Sequence, residues 1–174
     1  HIQPISTDKL GGANLHDFHA FTPTVANIRP TSRGEISIRS SDTKVNPKIK
    51  MNYLSTDEDR KVAADGIKLI RKIVMETNEF KKYEPEEFRP GSHLNDKEEI
   101  VKACSHYAQT IFHPVGTCKM GNDESAVVSD KLKVHGINKL RVIDASIMPN
   151  ITSGNTNAPT IMIAEKGADM ILSA

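Results

Sequence analysis

The feature that most restricts how this chain can fold is a run near its end: Leu140-Arg141-Val142-Ile143-Asp144-Ala145-Ser146-Ile147-Met148-Pro149. It is an apolar stretch that ends in an acid, passes into small residues and stops at proline. A buried strand of this kind delivers a carboxylate to its own end and then turns, a common way to hold an acid against a cofactor. Two small-residue turns flank the run, each with a hydrogen-bonding side chain. The first is His113-Pro114-Val115-Gly116-Thr117-Cys118-Lys119-Met120-Gly121, the second Ser153-Gly154-Asn155-Thr156-Asn157-Ala158-Pro159-Thr160.

The rest of the chain supplies a scaffold. Glu35 to Arg39 and Lys48 to Leu54 alternate polar and apolar residues, as half-buried antiparallel strands do, with a turn over Asp42 to Pro47. Before them, Phe21, Val25 and Ile28 lie in an extended run closed by Arg29 to Gly34. Ser55-Thr56-Asp57-Glu58 has capping-box spacing, so a long amphipathic helix is expected to about Glu76, carrying Val62, Gly66 or Ile67, Ile70, Ile73 and Val74 on one side. Glu79 to Ser92, with Pro85 and Pro90, is expected as a surface excursion. A second helix restarts at Asn95-Asp96 with Ile100, Cys104, Ala108 and Ile111 near one stripe. Asp130 to Val134 suggests a short strand leading to the turn at His135-Gly136. The final helix opens at Asn155 to Asn157, with Pro159 in its first turn and Ile161, Ala164, Ala168 and Ile171 as its packed face. The residues before Phe18, including Gly11-Gly12, suggest only a loop or ragged end.

Composition removes several classes of function. The 174 residues carry 23 basic and 22 acidic side chains, without the basic excess that a nucleic-acid binder gathers on one face. No apolar run approaches the roughly 18 residues of a membrane span. The two cysteines, Cys104 and Cys118, are expected to be reduced. The seven histidines show no metal-ligand spacing, so no metal site is expected. There is no Gly-x-Gly-x-x-Gly, no Gly-x-Ser-x-Gly and no Walker loop. The chain opens on His-Ile-Gln-Pro rather than Met, which suggests an excised fragment.

Taken singly, the chemical groups leave alternatives open. His113 is either a base with a near-neutral pKa or a turn histidine bonded to backbone. Asp144 either holds a ribose or ribityl hydroxyl or caps a turn. Gly154 to Pro159 presents backbone N–H groups to an anion, or is an ordinary helix start.

The order of these segments, with Val134-His135-Gly136 between them and Gly154-Asn-Thr-Asn-Ala-Pro-Thr-Ile-Met-Ile-Ala-Glu-Lys after them, resembles the C-terminal region of the glucose–methanol–choline (GMC) oxidoreductases. The choline and alcohol dehydrogenase branch is the nearest likeness. Asn52-Tyr53-Leu54-Ser55 and Arg29-Pro30 to Gly34 resemble it too; the family's frequent Asp-Pro is replaced here by Ser129-Asp130. The resemblance implies an α+β fold, a mainly antiparallel sheet packed by helices, plus a C-terminal strand and helix that complete an FAD domain. It divides the chain into a ragged 1–17, a substrate-binding 18–134 and a return to the FAD domain over 135–174, the N-terminal FAD domain being absent.

It also implies FAD as cofactor and a small-molecule alcohol as substrate. His113 would accept the hydroxyl proton while hydride passes to flavin N5, and Asn155 would orient the substrate oxygen and stabilise alkoxide charge. Asp144, Ala145, Asn155 and Thr156 would contact the cofactor. The isolated chain would retain no FAD and be inactive, and the parent would be cytoplasmic, or peripheral to a membrane. A hydroxynitrile lyase on the same scaffold and a non-catalytic structural or binding module are the alternatives. With no Trp and three Tyr, the chain carries no legible aromatic cage for a quaternary ammonium.

Overall fold

The computed structural model describes residues 1–8 and 14–173, so the loop expected at Gly11-Gly12 lies outside the described residues. The fold is α+β, with small antiparallel pairs and four α-helices among the described residues. Two compact units are present, His1–Asn27 with Leu54–Ile111 and Ile28–Tyr53 with Phe112–Ala174.

In the first unit, β1 (Ile2–Gln3) pairs antiparallel with β2 (Thr22–Pro23). Helix α1 (Asp57–Glu76) begins one residue later than the capping-box spacing suggested. Thr56, rather than Ser55, is its N-cap, and the Thr56 hydroxyl accepts the Asp59 N–H at 3.3 Å. The acids Asp57, Glu58 and Asp59 in its first turn complement the positive end of the helix dipole. Asp59 is itself buried and accepts from Asn27 Nδ2 at 3.0 Å. Helix α3 (Lys97–Tyr107) is capped by Asp96, whose Oδ1 accepts from the Glu98 and Glu99 N–H groups.

The two helices enclose Ala64, Ile100 and Cys104, with Leu54, Ala63, Ile67, Leu94 and Val101 packed around them. Three expected stripe residues fall elsewhere. Ala108 is the C-cap of α3, where the helix has already ended, Ile111 lies beyond that end and is exposed, and Ile73 of α1 is exposed. Gly66 allows Val25 to approach so closely that an added Cβ would lie 2.7 Å from its Cγ1.

The expected surface excursion is partly anchored. It contains the short helix α2 (Asn78–Lys81) and then folds back onto α1 through Arg71, whose guanidinium grips Glu87 with two bonds of 2.9 Å. The same guanidinium donates to the Gly91 and Leu94 carbonyls, which leaves the pair mostly out of water.

In the second unit, β3 (Glu35–Ser37) pairs antiparallel with β4 (Lys48–Lys50) in the register Ile36↔Ile49. Sequence alternation is present, but no face of this ribbon is packed: every residue of β3 and β4 is exposed. Gly34 sits under the Lys50 carbonyl, where a Cβ would overlap the oxygen.

The core of this unit is Val128, Leu132, Ile147, Met148 and Ile163. The segments 130–134 and 140–143 are joined by the single bridge Lys133↔Arg141, with Val134 bridged back to Val128, and do not form continuous strands. Left-handed backbone at Leu132, Gly136 and Lys139 interrupts the ladder, and Leu140 is exposed.

Helix α4 (Asn157–Leu172) opens where expected and has a shifted phase. Ile163 and Gly167 face inward, while Ile161, Ala164, Ala168 and Ile171 lie exposed. The cause is close packing, since the bare Cα of Gly167 admits Ile143, whose Cγ2 would be 2.5 Å from a Cβ there.

Candidate active site

The second unit brings the two small-residue turns together. Phe112 takes a left-handed φ of 66°, and Gly116 takes one of 91°. Between them the chain turns sharply enough to present His113, which is half-buried. After Gly116 the loop is pinned to the turn beyond Asp144: the Cys118 N–H donates to the Ser146 carbonyl at 3.0 Å and the Met120 N–H to the Ile147 carbonyl at 2.8 Å. The His113 turn and the Asp144 turn are therefore one hydrogen-bonded structure.

Asp144 is exposed at the end of its run. Its Oδ1 accepts the Ser146 N–H at 2.7 Å and caps the single 3₁₀ turn Ala145–Ile147. Of the two readings open at the level of sequence, this contact is the capping one. The chain then passes Asn150, whose side-chain oxygen receives Arg33 Nη2 at 2.6 Å, and takes a left-handed residue at Ser153. It reaches Asn155, which is exposed and makes no side-chain hydrogen bond among the described residues.

The next residue closes the site. Thr156 is buried and stands at the N-cap of α4, yet its side chain caps nothing. Its Oγ1 lies 2.9 Å from His113 Nδ1, and its backbone N–H reaches the same nitrogen at 3.4 Å. His113 is thus held by one edge of its ring, and Nε2 has no hydrogen-bond partner among the described residues. A fixed imidazole with one open nitrogen, whose Thr156 partner directly follows the exposed Asn155, can take a proton from a hydroxyl, and an amide is the kind of group that can hold that oxygen.

All the residues singled out from sequence, His113, Asp144, Ala145, Asn155 and Thr156, lie in this unit. Two partners were not legible there. The Thr156 hydroxyl reads as a helix cap in sequence, and nothing local links Arg33 to Asn150 across 117 positions. Elsewhere, His16 bonds to Ser6 and Asp8 and stacks on Phe18, a packing role. Among the described residues, no cluster of three or more His, Cys, Asp or Glu could hold a metal ion, and no helix is long and apolar enough to cross a membrane.

The oxygen-dependent choline dehydrogenase of Proteus mirabilis (strain HI4320) is 45% identical over 171 residues, covering 98% of this chain and 30% of that protein. The one from Acinetobacter baumannii (strain AYE) is 43% identical, with 98% of this chain and 31% of that protein covered. The chain thus spans about 30% of the length of the curated relatives it matches. Among solved structures, pyridoxine 4-oxidase from Mesorbium loti superposes with a TM-score of 0.78 at 33% identity, over 84% of this chain and 28% of that one. The family model described as GMC oxidoreductase matches residues 30–164, so the chain belongs to the GMC oxidoreductase family.

Proposed function

We propose that this chain supplies the proton-accepting and substrate-orienting side of an FAD-dependent alcohol oxidation, with an alcohol of the choline type as substrate class. The supporting observation is the His113–Thr156 contact, which fixes a half-buried imidazole on the residue that follows the exposed Asn155. Choline dehydrogenase is what the relatives are named for, and most of their length lies beyond the part matched here. In this reading residues 18–134 belong to the substrate side and 135–174 return to an FAD fold, and these 174 residues alone retain no flavin and turn over no alcohol.

The residues present suit FAD. Helix α4 starts with no acid in its first turn and no cap from its own N-cap side chain, so its positive end is open to an anionic ring edge. Asn155 and Thr156 at that start, with the backbone of Asp144-Ala145, are the groups that would hold it. FAD, when bound, accepts the hydride from the carbinol carbon.

The chain's own residues do the rest. His113 Nε2 takes the hydroxyl proton, and the resulting imidazolium is held in place by Thr156. The Asn155 amide donates to the substrate oxygen and stabilises it as negative charge develops. In the full-length enzyme, His113→Ala should lower kcat by about 10²–10⁴-fold. Unchanged alcohol turnover would sink the reading. Anaerobic addition of alcohol should also bleach the flavin; cyanohydrin cleavage without bleaching would mean a lyase.

A further inference from the structure

A neutral histidine is a base at Nε2 only if its proton sits on Nδ1, and the hydrogen bond made by one ring nitrogen decides where that proton sits. Around His113 Nδ1 the structure places two groups of different kinds. The Thr156 backbone N–H, at 3.4 Å, can only donate. Acting alone it would require a lone pair on Nδ1 and put the proton on Nε2, leaving a ring that cannot accept a proton from substrate. The Thr156 hydroxyl, nearer at 2.9 Å, can accept.

The hydroxyl is also not engaged by the helix it introduces. Thr56 at the start of α1 and Asp96 at the start of α3 turn their side chains onto helix N–H groups. Thr156, in the equivalent position of α4, does not; its side chain is buried and bonds to the ring.

We propose that Thr156 is a positioning residue that sets the tautomer of His113: its Oγ1 accepts Nδ1–H, overrides the opposing backbone N–H, and so leaves Nε2 with the lone pair that a base needs. The inference rests on His113 acting as the base, and it predicts a property of the ring that exists with or without flavin.

The test is the protonation pattern of the His113 ring nitrogens in this chain. It is read from two-bond ¹H–¹⁵N correlation spectra of ¹⁵N-histidine-labelled protein at a pH where the ring is neutral, and assigned by comparison with His113→Gln. The expected result is Nδ1–H in the wild type and in Thr156→Ser, and Nε2–H in Thr156→Val, where only the backbone donor is left. A wild-type ring carrying its proton on Nε2 overturns the proposal, and that arm needs no variant to fold. Thr156→Val retaining Nδ1–H overturns it as well.

In the full-length flavoenzyme, Thr156→Val should lower kcat at least about tenfold with little change in KM, and Thr156→Ser should restore it. Wild-type kcat in Thr156→Val would overturn the positioning role. If instead His113→Ala is fully active while the ring pattern is as expected, it is the base assignment that fails and not the tautomer.

Discussion

Arg33 donates from Nη2 to the side-chain oxygen of Asn150 at 2.6 Å, and the Arg33 carbonyl accepts from Asn52 Nδ2 at 2.9 Å. One residue at the foot of the β3–β4 ribbon thereby steadies the segment that leads from the Asp144 turn to Asn155. Its Nη1 is bonded to the carbonyls of Pro30 and Ser32, so the guanidinium is aimed and not merely nearby. Because the group is exposed, its net contribution to stability should stay near about 1 kcal/mol. Arg33→Ala is therefore expected to leave the melting temperature almost unchanged while backbone ¹⁵N order parameters fall across 150–155. Order parameters there as high as in the wild type would show that the bond restrains nothing.

The Arg71–Glu87 pair should behave in the opposite way. Its side chains are 17% and 12% exposed, and the guanidinium donates to the carboxylate and to two carbonyls. Removing either partner leaves a charge in a poorly solvated place, at a cost of about 3–5 kcal/mol. Urea denaturation of Glu87→Gln and Arg71→Leu measures it. The double variant should recover part of the loss, because it leaves no charge stranded.

Gly167→Ala is expected to destabilise the chain by about 1–3 kcal/mol, since the new methyl would press on Ile143 in a filled space. Pairing it with Ile143→Val, which withdraws the Cδ1 that would lie 2.9 Å from the new methyl, should return part of that energy. A double-mutant cycle with no coupling would mean that the contact carries no strain.

Asp123 gives a pH dependence with a defined sign. The Ser125 hydroxyl, then Lys119, hold its carboxyl well below the ordinary value of 3.8. A depressed carboxyl stabilises the folded loop above the unfolded value and ceases to do so as pH falls through the folded one. The Ser125 amide, bonded to Asp123 Oδ1 at 3.0 Å, should stay protected from exchange at about pH 4 and lose protection only on further acidification. In Asp123→Asn this pH dependence should vanish.

Much of the scaffold was legible because its signals are local. The acids at Asp57 to Asp59 and the cap at Asp96 announce helix starts through side chains a few positions away, and the true cap Thr56 differs from the expected Ser55 by a single step. The phase of α4 was not legible, because Ile161, Ala164, Ala168 and Ile171 form as good a stripe on paper as Ile163, Gly167 and Met170. What chose between them was a glycine that accommodates Ile143. The alternation at Ile36 and Ile49 gave the pairing correctly and the burial wrongly, since periodicity says which residues share a face and nothing about what covers it.

At the site, His113 and Asn155 stood out as polar residues in turns of small ones. The link between them did not, because Thr156 at a helix start is ambiguous until its hydroxyl is seen on the imidazole.

Thr156 belongs at once to the start of a helix and to the mooring of a ring. In an α-helix each residue added or removed rotates the remaining turns by about 100°. Shortening or lengthening the stretch between Pro149 and Asn155 by one residue would oblige either the helix to screw around its axis, dislodging Gly167 from Ile143, or the hydroxyl to swing away from His113. Single-residue insertions and deletions in that stretch should therefore be tolerated far less well than substitutions, even at positions whose side chains lie in water.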